Sequence, residues 1–224
     1  MKIISILILL LVSLWSNAQT IEATYRSTWE GKYSDPMYNL ETSYTYSSNR
    51  SLQELSAGGG TKYKDTLLVN PEGELYAYKA PIVLPSNIVV FKDFETDSIY
   101  MQHSMRDETR AIKDAMEIYD WELQEETKEI LGYRCKKATT TLERIGLQLE
   151  IVAWYAPEIE VSDGPRDYRG LPGLILEIES NSSTVLKVIE IKVMPDSELE
   201  IQPPVEEFFP LTYSRYNMVY KRGN

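Results

Sequence analysis

Apolar and polar positions alternate with a period of two over most of the chain. Ile21, Ala23, Tyr25 and Trp29 fall on one side of an opening stretch, with Glu22, Arg26 and Glu30 on the other. Successive side chains of an extended chain point to opposite faces, so this pattern predicts a half-buried strand. Tyr38, Leu40, Thr42, Tyr44 and Tyr46 repeat it after a turn signal at Ser34-Asp35-Pro36. Further strands are expected over 66–70 and 74–79, over Ile88 to Phe94 and Ile99 to His103, and over Glu117 to Gln124, Tyr133 to Leu142 and Gly146 to Tyr155. The last pair of strands is 174–179 and Val185 to Val193, joined at Asn181-Ser-Ser183. Gly58-Gly-Gly60 reads as a loop tip. Lys62 follows it without the spacing of a phosphate loop.

Two segments depart from this period. Ile112, Ala115, Met116 and Tyr119 have helical spacing, but the flanking strands favour strand plus loop over 107–120. The tail from Thr212 to Lys221 reads as a short helix capped by Thr212. Many short strands at regular spacing argue for a mostly β chain, a curved antiparallel sheet or half-open barrel with a short C-terminal helix. Its 16 Tyr and 4 Trp suit such a sheet, since aromatic side chains pack well across strands.

The densest backbone punctuation lies in Asp163-Gly-Pro-Arg-Asp-Tyr-Arg-Gly-Leu-Pro-Gly-Leu-Ile-Leu-Glu177. Gly164-Pro165 bends the chain. Pro172 holds Leu171 extended, and Pro172-Gly173 suits the centre of a type II turn. Gly170 marks either a special dihedral or a close backbone approach. The reversal would deliver Leu171, Leu174 and Leu176 into the core.

Gly170-Leu-Pro-Gly-Leu-Ile175 resembles the motif that names the GLPGLI family of secreted Bacteroidetes proteins. Gly132-Tyr-Arg-Cys-Lys-Lys-Ala138, Ala153-Trp-Tyr-Ala-Pro-Glu-Ile159 and Asp163-Gly-Pro165 are similar to other segments of that family, in the same order, and Trp121 before Glu126-Thr-Lys-Glu-Ile130 fits as well. The resemblance covers the second half of the chain and implies an exported β domain. It implies no particular reaction.

Residues 1–18 change the picture of where the protein works. Lys2, the apolar run Ile3 to Leu14 and Ser16-Asn17-Ala18 form a secretory leader with cleavage expected after Ala18. The apolar run is shorter than the span of about 20 residues that a membrane helix needs. A single domain over 19–224, periplasmic or secreted and not membrane-spanning after cleavage, is expected. The chain carries 34 acidic against 23 basic residues, a net charge of −11. Such a surface repels phosphate backbones, so no nucleic acid is expected as a partner.

The catalytic inventory is poor. Cys135 is the single cysteine and reads as a small buried apolar residue, and His103 is the single histidine in a strand pattern without a neighbouring motif. No metal or cofactor is expected. Glu158, Glu160, Asp163, Asp167 and Glu177 supply carboxylates for a two-acid hydrolase acting on envelope polymers. The first expectation is instead a non-enzymatic binding or carrier protein for an apolar or peptide ligand, with Trp154, Tyr155, Tyr168 and Leu171 around the mouth or floor of the sheet. A structural accessory of an outer-membrane or envelope protein is the third reading.

Overall fold

The computed structural model of the chain describes residues 19–29, 40–55, 61–69, 72–83, 87–105, 108–144, 147–181, 184–195 and 197–204. The leader expected over 1–18, the turn expected at Ser34-Asp35-Pro36, the loop tip expected at Gly58-Gly-Gly60 and the helix expected over Thr212 to Lys221 lie outside the described residues. The described elements are all strands: β1 Gln19–Trp29, β2 Leu40–Ser47, β3 Arg50–Leu55, β4 Thr61–Val69, β5 Leu75–Val83, β6 Asn87–Asp93, β7 Ser98–Met105, β8 Glu108–Ala115, β9 Glu122–Ile130, β10 Tyr133–Arg144, β11 Leu147–Ala156, β12 Leu174–Ser180 and β13 Thr184–Pro195.

Eleven of them form one antiparallel sheet in the order β8-β7-β6-β3-β2-β1-β13-β12-β11-β10-β9, and β4 pairs with β5 as a separate hairpin. The two edge strands, β8 and β9, are neighbours in sequence, joined by residues 116–121. From Ala115 to Glu122 the chain reaches at most about 27 Å, at about 3.8 Å per residue. Eleven strands laid flat, about 4.8 Å apart, would hold their edges roughly 48 Å from each other. The sheet must therefore roll strongly, yet β8 and β9 do not pair, so the result is an open, half-closed barrel. Register shifts at Thr24/Tyr25, Lys136/Ala138 and Trp154/Tyr155 add the local twist that such rolling needs.

The inner face carries the main core, with Ile21, Tyr25 and Tyr44 from β1 and β2 and with Ile151, Ala153, Leu176 and Ile178 from β11 and β12. A smaller cluster of Val90, Ile99, Met101, Ile112 and Met116 holds β6, β7 and β8 together.

Three differences from the sequence reading have physical causes. Strand β3 has no counterpart among the expected strands, because the residues it turns inward are Ser51 and Gln53, both fully buried. A polar inward face hides the alternation on which the reading depends. The expected strand over Glu117 to Gln124 is displaced: residues 116–121 are irregular and β9 starts at Glu122. Edge strand β9 is exposed along most of its length, so it shows no apolar period. The type II turn expected at Pro172-Gly173 is a tighter turn. Gly173 N donates to Leu171 O at 2.8 Å, closing three residues around Pro172, while Leu174 N donates to Ile159 O at 3.1 Å.

Candidate functional site

The loop of residues 157–173 between β11 and β12 closes over the inner face and is fastened from both sides. Asp163 and Arg169 form an isolated bridge that pinches it. Gly170 N donates to Ser162 O, and Ile175 N donates to Asp163 O at 2.9 Å. Gly173 holds φ +148°, and a Cβ there would overlap the Ala156 carbonyl. A Cβ on Gly164 would lie 2.7 Å from Ile175 Cβ. These positions therefore demand glycine for shape, which explains the punctuation.

Beneath the loop lies a buried polar network. Asp163 and Lys92 are both wholly buried and form an ion pair. Tyr44 Oη donates to Asp163 Oδ2 at 2.9 Å. Lys92 Nζ also donates to Gly164 O at 2.9 Å and points to Tyr168 O at 3.5 Å. Gln53 Nε2 donates to the carbonyls of Gly164 and Arg166, and Arg166 N donates back to Gln53 Oε1 at 2.6 Å. Tyr25 Oη donates to Ile175 O at 2.7 Å. Burial, followed by the charge of Asp163, pushes the Tyr25 and Tyr44 phenols well above their ordinary range. Burial lowers the Lys92 ammonium, against the pull of Asp163.

On its other flank the loop is held by residues 116–121. Tyr119 Oη donates to Asp167 Oδ2 at 2.9 Å, and Trp121 Nε1 donates to Arg169 O at 2.8 Å. The Tyr119 ring stacks on Trp121 and touches Tyr168, with centroids 5.5 and 5.4 Å away. The segment that joins the sheet edges and the loop that covers the sheet are thus one packed unit.

The opposite face of the sheet carries a different arrangement. Trp154, Glu177, Lys187, Arg26 and Glu41 are successive ladder partners across β11, β12, β13, β1 and β2 and share that face. Glu177 is paired through Oε1 with Lys128 and lies 3.1 Å through Oε2 from Lys187 Nζ. Lys128 sits 4.2 Å above the Trp154 ring and 4.0 Å from Glu179. Beside this cluster is a groove of about 580 Å³ lined by Arg26, Thr28, Glu177, Glu179, Val185 and Lys187.

The two carboxylates titrate apart. Burial works to raise the Glu177 carboxyl, but the hydrogen bonds and charges of Lys128 and Lys187 outweigh it and hold it below the usual range. Glu179 is raised, first by burial and then by the neighbouring Glu177. The indole Nε1 of Trp154 is buried next to Glu179 and lowers its pKa, without reaching full hydrogen-bond geometry.

The residues singled out in the sequence do not converge on one site. Tyr168 and Leu171 are buried at 7% and 1% exposure within the closed loop, along with Gly164, Pro165, Leu174 and Ile175. Pro172 and Gly170 stay at its surface. Tyr155 contributes to the floor of a second groove of about 630 Å³, next to Leu123, Arg134, Lys136 and Glu158 along edge strand β9. Trp154, its neighbour in the strand, points to the other face. Asp163 and Asp167 serve the loop, Glu158 accepts from Arg134 N at 3.1 Å, Glu160 is exposed, and Glu177 joins the outer cluster. Lys92, Gln53, Lys128 and Glu179 had no signal of their own, since their roles depend on which strands become neighbours. Among the described residues, no group of three or more His, Cys, Asp or Glu is arranged to hold a metal ion, and no helix is long and apolar enough to cross a membrane.

The open antiparallel sheet has counterparts among known proteins. Residues 77–214 match the family described as "N-glycanase peptide, N-terminal domain", and the chain belongs to that family. Its fold is similar to that of PNGF-II, solved in space groups P21 and C2. The identities are 22% and 20%, the TM-scores 0.58 and 0.56, and the match covers 91% of this chain in both cases. The chain spans about a third of the length of those structures, 34% and 33%. No curated protein matches it.

Proposed function

We propose that the chain is an exported, non-enzymatic recognition module for a glycan-bearing ligand, seated in the outer-face groove over Glu177 and Glu179. The observation that carries this reading is the cluster itself. Glu177, Glu179, Lys187 and Arg26 line a groove of about 580 Å³, beside Lys128 and the largely buried Trp154 indole. Sugars present hydroxyl and amide groups that such carboxylates and cations can hold. The family's name, which refers to an N-glycanase, supports the ligand class. The inner face, where an acyl chain would have to lie, is occupied by the closed loop and its polar network, which favours a polar ligand on the outer face. Export by the 1–18 leader and likeness to the GLPGLI family belong to the same reading.

Isothermal titration calorimetry with asparagine-linked oligosaccharides and the matching free peptides tests it. Binding that is weakened at least tenfold in Glu177→Gln/Glu179→Gln supports the proposal. No heat of binding up to millimolar ligand overturns it.

One observation favours a second reading, a carboxylate-based hydrolase. Glu177 and Glu179 are pushed to opposite sides of the ordinary range, as an acid and base pair would be. Release of sugar from the same oligosaccharides, abolished in Glu179→Gln, would select it.

A further inference from the structure

The buried pair Lys92 and Asp163 has no part in the outer-face reading, and its chemistry goes beyond that reading. We infer that these two side chains condense into an intramolecular isopeptide bond that staples β6 to the 157–173 loop.

The geometry supplies what such a condensation requires. Both side chains are wholly buried and in direct contact, so the reaction is intramolecular and water is excluded from the product. An enclosed site disfavours a lone charge and so favours the neutral amine that attacks. Burial does lower the Lys92 ammonium. Tyr44 Oη, 2.9 Å from Asp163 Oδ2, is placed where negative charge develops as Nζ adds to Cγ. The carbonyls of Gly164 and Tyr168 accept from Nζ and orient the nitrogen. Asp167, hydrogen-bonded by Tyr119, is a second carboxylate whose charge is felt at Lys92.

The step balances without any co-reactant. The Nζ–Cγ bond forms and the Cγ–Oδ1 bond breaks. Oδ1 leaves as water with two of the three ammonium protons, and the third stays on the amide nitrogen. One positive and one negative charge disappear together from the interior. With Cys135 as its single cysteine, the chain has no internal disulfide to serve as a staple. This bond would tie together residues 71 positions apart.

Mass spectrometry of the denatured wild-type chain tests the inference. The expected mass is one water, about 18 Da, below that calculated for the same polypeptide. Tryptic digestion should leave Lys92 uncleaved, in a branched peptide joined to the Asp163 segment. Lys92→Arg, which keeps the charge but has no primary amine, should show the full mass. A full wild-type mass with ordinary cleavage after Lys92 overturns the inference and leaves an ion pair. Loss of one water in a linear Asp163–Gly164 peptide, with Lys92 cleaved, indicates a succinimide at that bond and overturns it equally.

Discussion

Tyr44 and Asp163, 119 residues apart in sequence, meet beneath the closed loop through a hydrogen bond of 2.9 Å from phenol to carboxylate. That contact joins the second strand of the sheet to the loop that plugs it. Tyr44→Phe removes the donor and leaves Oδ2 buried without a partner, which costs about 1–3 kcal/mol. Asp163→Ala strands Lys92 in the interior without its ionic or covalent partner and costs more, at least about 3–5 kcal/mol. Urea denaturation followed by circular dichroism should rank the variants in that order. If Asp163→Ala proves as stable as wild type, the network does not hold the loop.

The loop's glycines should differ in tolerance. At Gly173, with φ +148° and the Ala156 carbonyl carbon 2.6 Å from a would-be Cβ, alanine meets backbone that cannot move aside. At Gly164 the obstacle is the Ile175 side chain, 2.7 Å away at its Cβ. At Gly170 the nearest atom is Trp121 Nε1 at 3.7 Å, and only the dihedral of +93° resists, for roughly 1–2 kcal/mol. Soluble yield and melting temperature should fall least for Gly170→Ala and most for Gly173→Ala. The reverse order would show that the tight turn around Pro172 is not the constraint.

Acid should weaken the fold through His103. Burial lowers its pKa from 6.5 to about 4. Above pH 6.5 neither the folded nor the unfolded chain holds the proton, and the histidine has no effect on stability. Between pH 6.5 and about 4 the unfolded chain binds a proton that the folded chain refuses, so stability falls as pH drops, by up to about 3 kcal/mol. Below pH 4 both states are protonated and the loss stops growing. His103→Gln should flatten this part of the profile, as measured by urea midpoints from pH 7 to 4. An unchanged slope would assign the acid sensitivity elsewhere.

The parts of the fold that were legible in the sequence are those where one face is apolar and the other wet. In β1, β11 and β13, alternation such as Leu149, Ile151, Ala153 and Tyr155 marks the strand directly. The glycines and prolines of 164–173 likewise announced the reversal, since each answers a local steric demand. Legibility failed where burial is polar or absent. Strand β3 turns Ser51 and Gln53 inward, where Gln53 holds the loop, and β9 turns almost nothing inward. Lys92 reads as a solvent-facing lysine until the topology sets it against Asp163. The outer cluster was only partly legible: Glu177 stood out among the carboxylates, whereas Glu179, two residues on along the same strand, did not. Their pairing with Lys128 required knowing that β9, β10, β11 and β12 lie side by side.

Lys128 is the position at which the outer cluster can be taken apart with the least damage to the core. Its ammonium contacts Glu177, approaches Glu179 at 4.0 Å and covers the Trp154 ring. Lys128→Met keeps the aliphatic stem and removes the charge. Glu177 loses one of the two lysines that hold its carboxyl down, so its pKa should rise, and Glu179 should rise with it. A lowered carboxyl stabilises the fold above its unfolded pKa, and that contribution fades as pH falls through the folded value. The variant should therefore be less stable near neutral pH, by about 1 kcal/mol because Lys128 is partly exposed, and should converge on wild type in acid. Carbon-detected NMR titration of the glutamate carboxyls reads the two shifts, and Trp154 fluorescence reports the uncovered ring. Unmoved Glu177 and Glu179 titrations in Lys128→Met would show that the cluster is not electrostatically coupled, and would remove the basis for treating it as a single site.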